Sequence, residues 1–155
     1  MQTADGLTEL HEELQEIARR LHPAILSKGG LAPAVRMLAA RTGMAVAVSV
    51  QDEARLPEHL KVAAYHVVAE ALENVVDHAR ATSADVWVHT DDAALLVRVR
   101  DDGIGGADQR SGSGLVALID RIDALDGAIE ITSPPGGGTT LSISLPLRAA
   151  GPPCP

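Results

Sequence analysis

The stretch AEALENVVDHARA, residues 69–81, decides how this chain is read. With the two residues that precede it, its apolar positions Val67, Val68, Ala71, Leu72, Val75, Val76 and Ala79 recur at three- and four-residue intervals, the spacing of an α-helix that buries one face. A polar row runs beside them. Glu70, Asn74, Asp77 and His78 stand at helical offsets from one another, so they line one stripe of the same helix. A carboxylate and an amide one turn apart share a water or a hard cation readily, and Mg²⁺ favours one or two protein oxygens completed by waters and substrate phosphates. A solvated helix face would present the same stripe. Signals elsewhere in the chain have to separate the two.

Composition narrows the classes. The 155 residues suffice for one domain, and a hydrophobic fraction of 46% supplies its core. With no Phe, one Trp and one Tyr, that core is aliphatic and base stacking on aromatics is excluded. A formal net charge of −8 repels phosphodiester backbones and anionic lipid surfaces, which argues against nucleic-acid binding. No apolar run approaches the ~20 residues of a membrane span, and no basic-then-apolar leader opens the chain. The single cysteine, Cys154, cannot form an internal disulfide, so a reducing, cytoplasmic compartment is expected, with no direct membrane contact in this segment.

Outward from the opening stretch, the elements fall into order. Residues 7–26 carry Leu7, Leu10, Leu14, Ile17, Ala18 and Leu21 at helical spacing up to Pro23, a pattern that suits either the end of a dimerising coiled coil or a helix packed on its own domain. A short helix over APAVRMLAARTG is capped by Gly43, a strand follows over AVAVSV, and the polar-striped helix runs from near Pro57 to about Ala81. Strands ADVWVHT and ALLVRVR flank a turn at Asp91 and Asp92. A glycine-rich loop spans 103–114, a helix over LVALIDRIDAL stops at Gly127, and strands AIEITS and TTLSISLPL enclose the hairpin PPGGG. Helices cluster early and strands pair as hairpins. This order predicts a two-layer α/β sandwich: a mixed, mostly antiparallel sheet with helices on one face.

Three loops carry chemistry. In RVRDDGIGG the strand delivers Asp101 to the end of the sheet, where Gly103 and Gly105 let the backbone turn and approach a ligand; a carboxylate there accepts a hydrogen bond from an exocyclic amine such as that of adenine. In SGSGL, Gly112 and Gly114 precede a helix whose unpaired N–H groups and dipole attract phosphate. GGGTT adds a third glycine cluster beside hydroxyls. Taken singly these are also an acidic β-turn, a flexible surface loop and a hairpin.

Their order carries more than any one of them. An ENxxxH-bearing helix, then DDGxGG after a strand, then GxGL opening a helix, then GGT before a closing strand resembles the GHKL family of Bergerat-fold ATPases, which includes gyrase and the histidine kinases; the likeness spans residues 45–147. The resemblance implies that Asn74 holds Mg²⁺ and Glu70 orients the metal's waters, with His78 among the nucleotide-binding residues. It implies that Asp101 recognises the adenine amine in a pocket shaped by Gly103 and Gly105. It further implies that Gly112, Gly114 and the amide of Leu115 bind phosphate, and that Thr139 contributes near the base or phosphate end of ATP. Asp77 departs from the pattern, standing where the nearest members carry Lys or Arg and leaving phosphate neutralisation to Mg²⁺ and Arg80.

The residues before the ATPase-like region are similar to the end of the dimerisation helix and linker of histidine kinases that signal to helix-turn-helix response regulators. That likeness implies residues 1–30 as helix end and linker, 31–148 as the ATP-binding catalytic domain and 149–155 as a disordered tail. His11 and His22 do not suit the phosphoacceptor role, so the acceptor histidine, the sensor and any membrane anchor are expected upstream. The implied partners are ATP, a histidine-bearing dimerisation domain and a downstream response regulator. An anti-sigma-type serine kinase and a degenerate nucleotide-binding interaction module are the alternatives.

Overall fold

A computed structural model of the chain describes residues 30–51, 56–106 and 113–147. Residues 1–29, with His11 and His22, the tail with Cys154, and Gly112 lie outside the described residues.

Helix α1 (Leu31–Arg41) admits Pro33 because a first helical turn needs no N–H donor there. It ends as expected: the Thr42 hydroxyl donates to the Ala39 carbonyl at 2.7 Å, and Gly43 takes φ +72° just past the end. Strand β1 (Ala45–Gln51) follows, then α2 (Glu58–Asn74), which passes directly into a π-helical turn over Val75–Ala79. Strands β2 (Ser83–Thr90) and β3 (Ala94–Asp101) form a hairpin whose turn is fixed by Asp91 Oδ1, which accepts 2.7 Å bonds from the Ala93 and Ala94 amides. Helix α3 (Ser113–Ala124) precedes the hairpin of β4 (Ala128–Thr132) and β5 (Thr139–Pro146).

The sheet order is β1-β2-β3-β5-β4, with β1 parallel to β2 and every other pair antiparallel. This is the expected two-layer α/β arrangement. Cross-strand rows such as Val86, Val99 and Leu141, or Val88, Val97 and Ile143, make one apolar face. Leu31 and Val35 of α1, Leu60, Val67 and Val68 of α2, and Leu118 and Ile122 of α3 pack into the same aliphatic core. The opposite face is open and polar, with Asp85, Arg98, Arg100 and Glu130 exposed. The lone Trp87 belongs to that face, stacked on His89 with Arg98 over its ring at 5.6 Å.

Two local expectations are corrected. Helical spacing puts Val76 on the buried face, yet it is 50% exposed while Val75 and Ala79 stay buried. The π turn holds one extra residue per turn, so it rotates Val76 outward and breaks the single polar stripe: Glu70 and Asn74 keep helical register, whereas Asp77 lies exposed on the widened turn. At the end of α3 the left-handed residue is Asp126 (φ +58°), not Gly127. The paired bonds Gly127 N–H to Ile122 O (2.9 Å) and Asp126 N–H to Asp123 O (3.1 Å) close the helix in a Schellman pattern. Gly127 is glycine for another reason, since a Cβ there would meet Leu145 Cδ2 at 2.6 Å and Ser144 O at 2.8 Å.

Candidate functional site

Strand β3 ends on Asp101, which is 5% exposed and faces Ala84 of β2 and Thr139 of β5 in register. Its Oδ1 accepts the Gly103 N–H at 2.8 Å, a local turn that orients the carboxylate. That amide is its hydrogen-bonded partner among the described residues, and a carboxylate has room for about four donors, so acceptor capacity remains for a ligand amine. Thr139 is held beside it, its hydroxyl 2.7 Å from that of Ser133 across the β4–β5 hairpin.

Backbone bonds knit this loop to two other segments. The Ile104 N–H donates to Ala79 O at 2.8 Å, joining the loop to the end of the π turn. The Gly106 N–H donates to Ser133 O (2.9 Å) and the Gly136 N–H to Ile104 O (2.6 Å), joining it to the glycine-rich hairpin. The glycines make these approaches feasible. A Cβ on Gly103 would overlap the Ala79 carbonyl, one on Gly105 the Pro134 carbonyl, and one on Gly138 the Asp101 carbonyl. Sequence reasoning assigned the freedom of Gly103 and Gly105 to ligand approach; the structure directs both of their missing side chains at protein backbone, so they shape the site by close packing of its walls.

The remaining residues stand on adjoining elements. Glu70 and Asn74 are half-buried one turn apart at the C-terminal end of α2, which packs against β3 and α3. Together they offer two protein oxygens of the hard type that Mg²⁺ supplements with water and phosphate. No group of three or more His, Cys, Asp or Glu side chains gathers among the described residues. His78 lies in the π turn, and Gly114 and Leu115 lie in the first turn of α3, where helix N–H groups lack intrahelical acceptors.

Sequence reasoning missed Asp102. Its Oδ1 accepts the Thr82 N–H (2.8 Å) and Ser83 N–H (3.1 Å), and its Oδ2 accepts the hydroxyls of Thr82 (2.6 Å) and Ser83 (3.1 Å). The Thr82 hydroxyl bond, followed by the backbone donors, holds this exposed carboxyl well below the usual carboxylate range. Its local signal, a second acid in an acidic turn, could not be told from ordinary turn chemistry.

The five-stranded mixed sheet with helices on one face and a buried acid among glycine turns at the end of β3 is an open two-layer α/β fold. Residues 59–149 match the histidine kinase-, DNA gyrase B- and HSP90-like ATPase family, and the chain belongs to it. It is 34% identical over 152 residues to the sensor histidine kinase NarS of Mycobacterium tuberculosis, covering 92% of this chain and 36% of that protein. It is 31% identical to the histidine-protein kinase/phosphatase UhpB of Salmonella typhimurium, covering 90% and 29% respectively. The chain thus spans about a third of the length of these relatives. The blue-light activated histidine kinase of Erythrobacter litoralis shares the fold, with a TM-score of 0.68 over 88% of this chain and 50% of that one at 23% identity. Among the described residues no helix is long and apolar enough to cross a membrane.

Proposed function

We propose that this chain is the catalytic module of a sensor histidine kinase, binding Mg-ATP and presenting the γ-phosphoryl to a histidine on a dimerisation domain. The observation that carries the reading is the joining of a buried Asp101, which among the described residues accepts only the Gly103 amide, to the Asn74 helix end through the Ile104–Ala79 bond.

Asp101 would accept the adenine amine, with Thr139 beside it. Asn74 would ligate the metal and Glu70 would orient its waters, while the first-turn amides of α3 at Gly114 and Leu115 take the phosphates. When bound, Mg²⁺ supplies charge neutralisation on the phosphates. Transfer then needs positioning more than covalent help: the acceptor imidazole nitrogen forms the new bond to the γ-phosphorus, the bond to the bridging oxygen breaks, and ADP leaves. The acceptor and its activating group would belong to the dimerisation domain, and a response regulator would take the phosphoryl onward in two-component signalling within the cytoplasm.

Calorimetric titration tests the binding half. The parent chain is expected to bind Mg-ATP; Asn74→Ala should abolish the Mg²⁺-dependent part without lowering the melting temperature. Asp101→Asn should cut the preference for ATP over GTP roughly ten- to a hundredfold, because a mismatched amide faces the base amine. Phosphotransfer to a supplied histidine-bearing dimerisation domain tests the other half. Absence of nucleotide binding by the parent, or unchanged affinity in Asn74→Ala, would refute the assignment.

A further inference from the structure

The chain leaving the π turn and the loop that follows Asp101 run side by side for a few residues, held together by backbone bonds and by one carboxylate. Ala79 O accepts the Ile104 amide at 2.8 Å, and Ser83 O accepts the Asp102 amide at 3.3 Å. Between these lies the Asp102 carboxylate, whose two oxygens take four donors from Thr82 and Ser83. A carboxylate offers about four acceptor positions, so this one is filled by the protein itself and has none to spare for a ligand. The segment it grips starts at Arg80, a non-glycine residue held at φ +51°, directly after the turn that follows Asn74. Its neighbour in sequence is Asp101, whose main chain is pinned from the other side by the close approach of Gly138.

We propose that Asp102 is a positioning residue for base recognition: its carboxylate bolts the start of the loop that follows Asp101 to the 82–83 segment, and so sets where the base-reading acid at the end of β3 stands relative to the Asn74 helix end. The inference rests on the nucleotide-binding reading above. A bolt of this kind acts on the purine end of the ligand. Its loss lets the end of β3 at Asp101 shift with the loop that follows, while Asn74 on α2 and the first turn of α3 are left in place. Misplacement of a positioning group by about 1 Å is enough to cost up to roughly a hundredfold in a reaction or binding step that depends on it.

The test compares two ligands on the parent chain and on Asp102→Ala, Asp102→Asn and Thr82→Val: Mg-ATP, which carries the base, and Mg-tripolyphosphate, which does not. Asp102→Ala is expected to weaken ATP binding about tenfold or more and to narrow the preference for ATP over GTP, with tripolyphosphate affinity within about twofold of the parent. Thr82→Val, which removes one of the four donors, should move the same readouts in the same direction by less. Combined with Asp102→Ala it should add nothing, because both act through one contact. A parallel fall for ATP and tripolyphosphate would reduce Asp102 to a general structural role and overturn the proposal. Parent-like ATP affinity and selectivity in all the variants would overturn it as well. Should Asp102→Ala fail to fold, Thr82→Val and Asp102→Asn carry the same comparison. A parent chain that binds neither ligand would instead overturn the nucleotide-binding reading on which this one stands.

Discussion

Replacing Gly103 by alanine is expected to damage this domain out of proportion to the one methyl group added, and the cause is local. Gly103 does not occupy the left-handed region, so its backbone conformation is open to any residue and adds no strain of its own. Space is the obstacle. A Cβ there would overlap the Ala79 carbonyl oxygen and stand 2.8 Å from both the carbonyl carbon and the Cβ of Ala79, where carbon atoms prefer about 3.5–4.0 Å. These are backbone and backbone-proximal atoms of the π turn, with no flexible side chain to swing aside. Relief requires the loop and the turn to separate, which also breaks the 2.8 Å bond from the Ile104 amide to Ala79 O. Overpacking costs about 1–3 kcal/mol and the lost hydrogen bond about 0.5–1.5 kcal/mol, so the total is roughly 2–4 kcal/mol.

For a chain of this length each kcal/mol moves the melting temperature by about 2–4 °C, which gives an expected fall of roughly 5–15 °C. Thermal unfolding followed by circular dichroism measures it. Gly43→Ala serves as the contrast: Gly43 has φ +72° and nothing within 4 Å of a built Cβ, so only backbone strain of about 1–2 kcal/mol applies, and the fall should be smaller. A Gly103→Ala variant that melts with the parent, or above Gly43→Ala, would refute the close approach of loop and turn.

Thr90 should be improvable: it is 3% exposed, and its buried hydroxyl has no hydrogen-bond partner among the described residues. Thr90→Val keeps the shape and removes a cost of about 1–3 kcal/mol, so the melting temperature should rise by a few degrees; a fall would show that the hydroxyl is satisfied in solution. Acid should expose the Asp102 contacts. Because its folded pKa is depressed, their stabilisation is present above the unfolded carboxylate value near ~3.9 and is lost as pH falls towards the folded value. The melting-temperature gap between parent and Asp102→Asn should therefore be widest near neutrality and close progressively below about pH 4; a constant gap down to pH 3 would contradict the sign of the shift.

The strands and helices were legible because their signals are local. Alternation in ALLVRVR and helical spacing in VVAEALENVV survive whatever else the chain does, and Asp101 was legible because a strand delivering an acid to a glycine turn is a pattern of adjacent residues. What escaped depended on distant partners. Nothing near Gly127 announces that Leu145 and Ser144 will crowd it, so local pattern assigns the helix stop to the glycine and not to Asp126. Nothing near Asp102 announces Thr82 and Ser83, twenty and nineteen residues earlier. The outward rotation of Val76 followed from a change of helical pitch that periodicity, which assumes one pitch throughout, does not register.

That change of pitch ties the polar helix to the glycine loop. A helix that ends leaves its last carbonyls without intrahelical partners, and buried carbonyls must find donors elsewhere. Here the chain leaves through Arg80 in the left-handed region, and the Ala79 carbonyl receives the amide of Ile104. The donor comes from the middle of DDGIGG, and it reaches that carbonyl only because Gly103 has no side chain to block the approach. The two motifs are thus halves of one hydrogen-bonded joint. Their order along the chain was informative because each half satisfies a requirement of the other, so a substitution that spoils the end of the helix should also displace the acid at the end of β3.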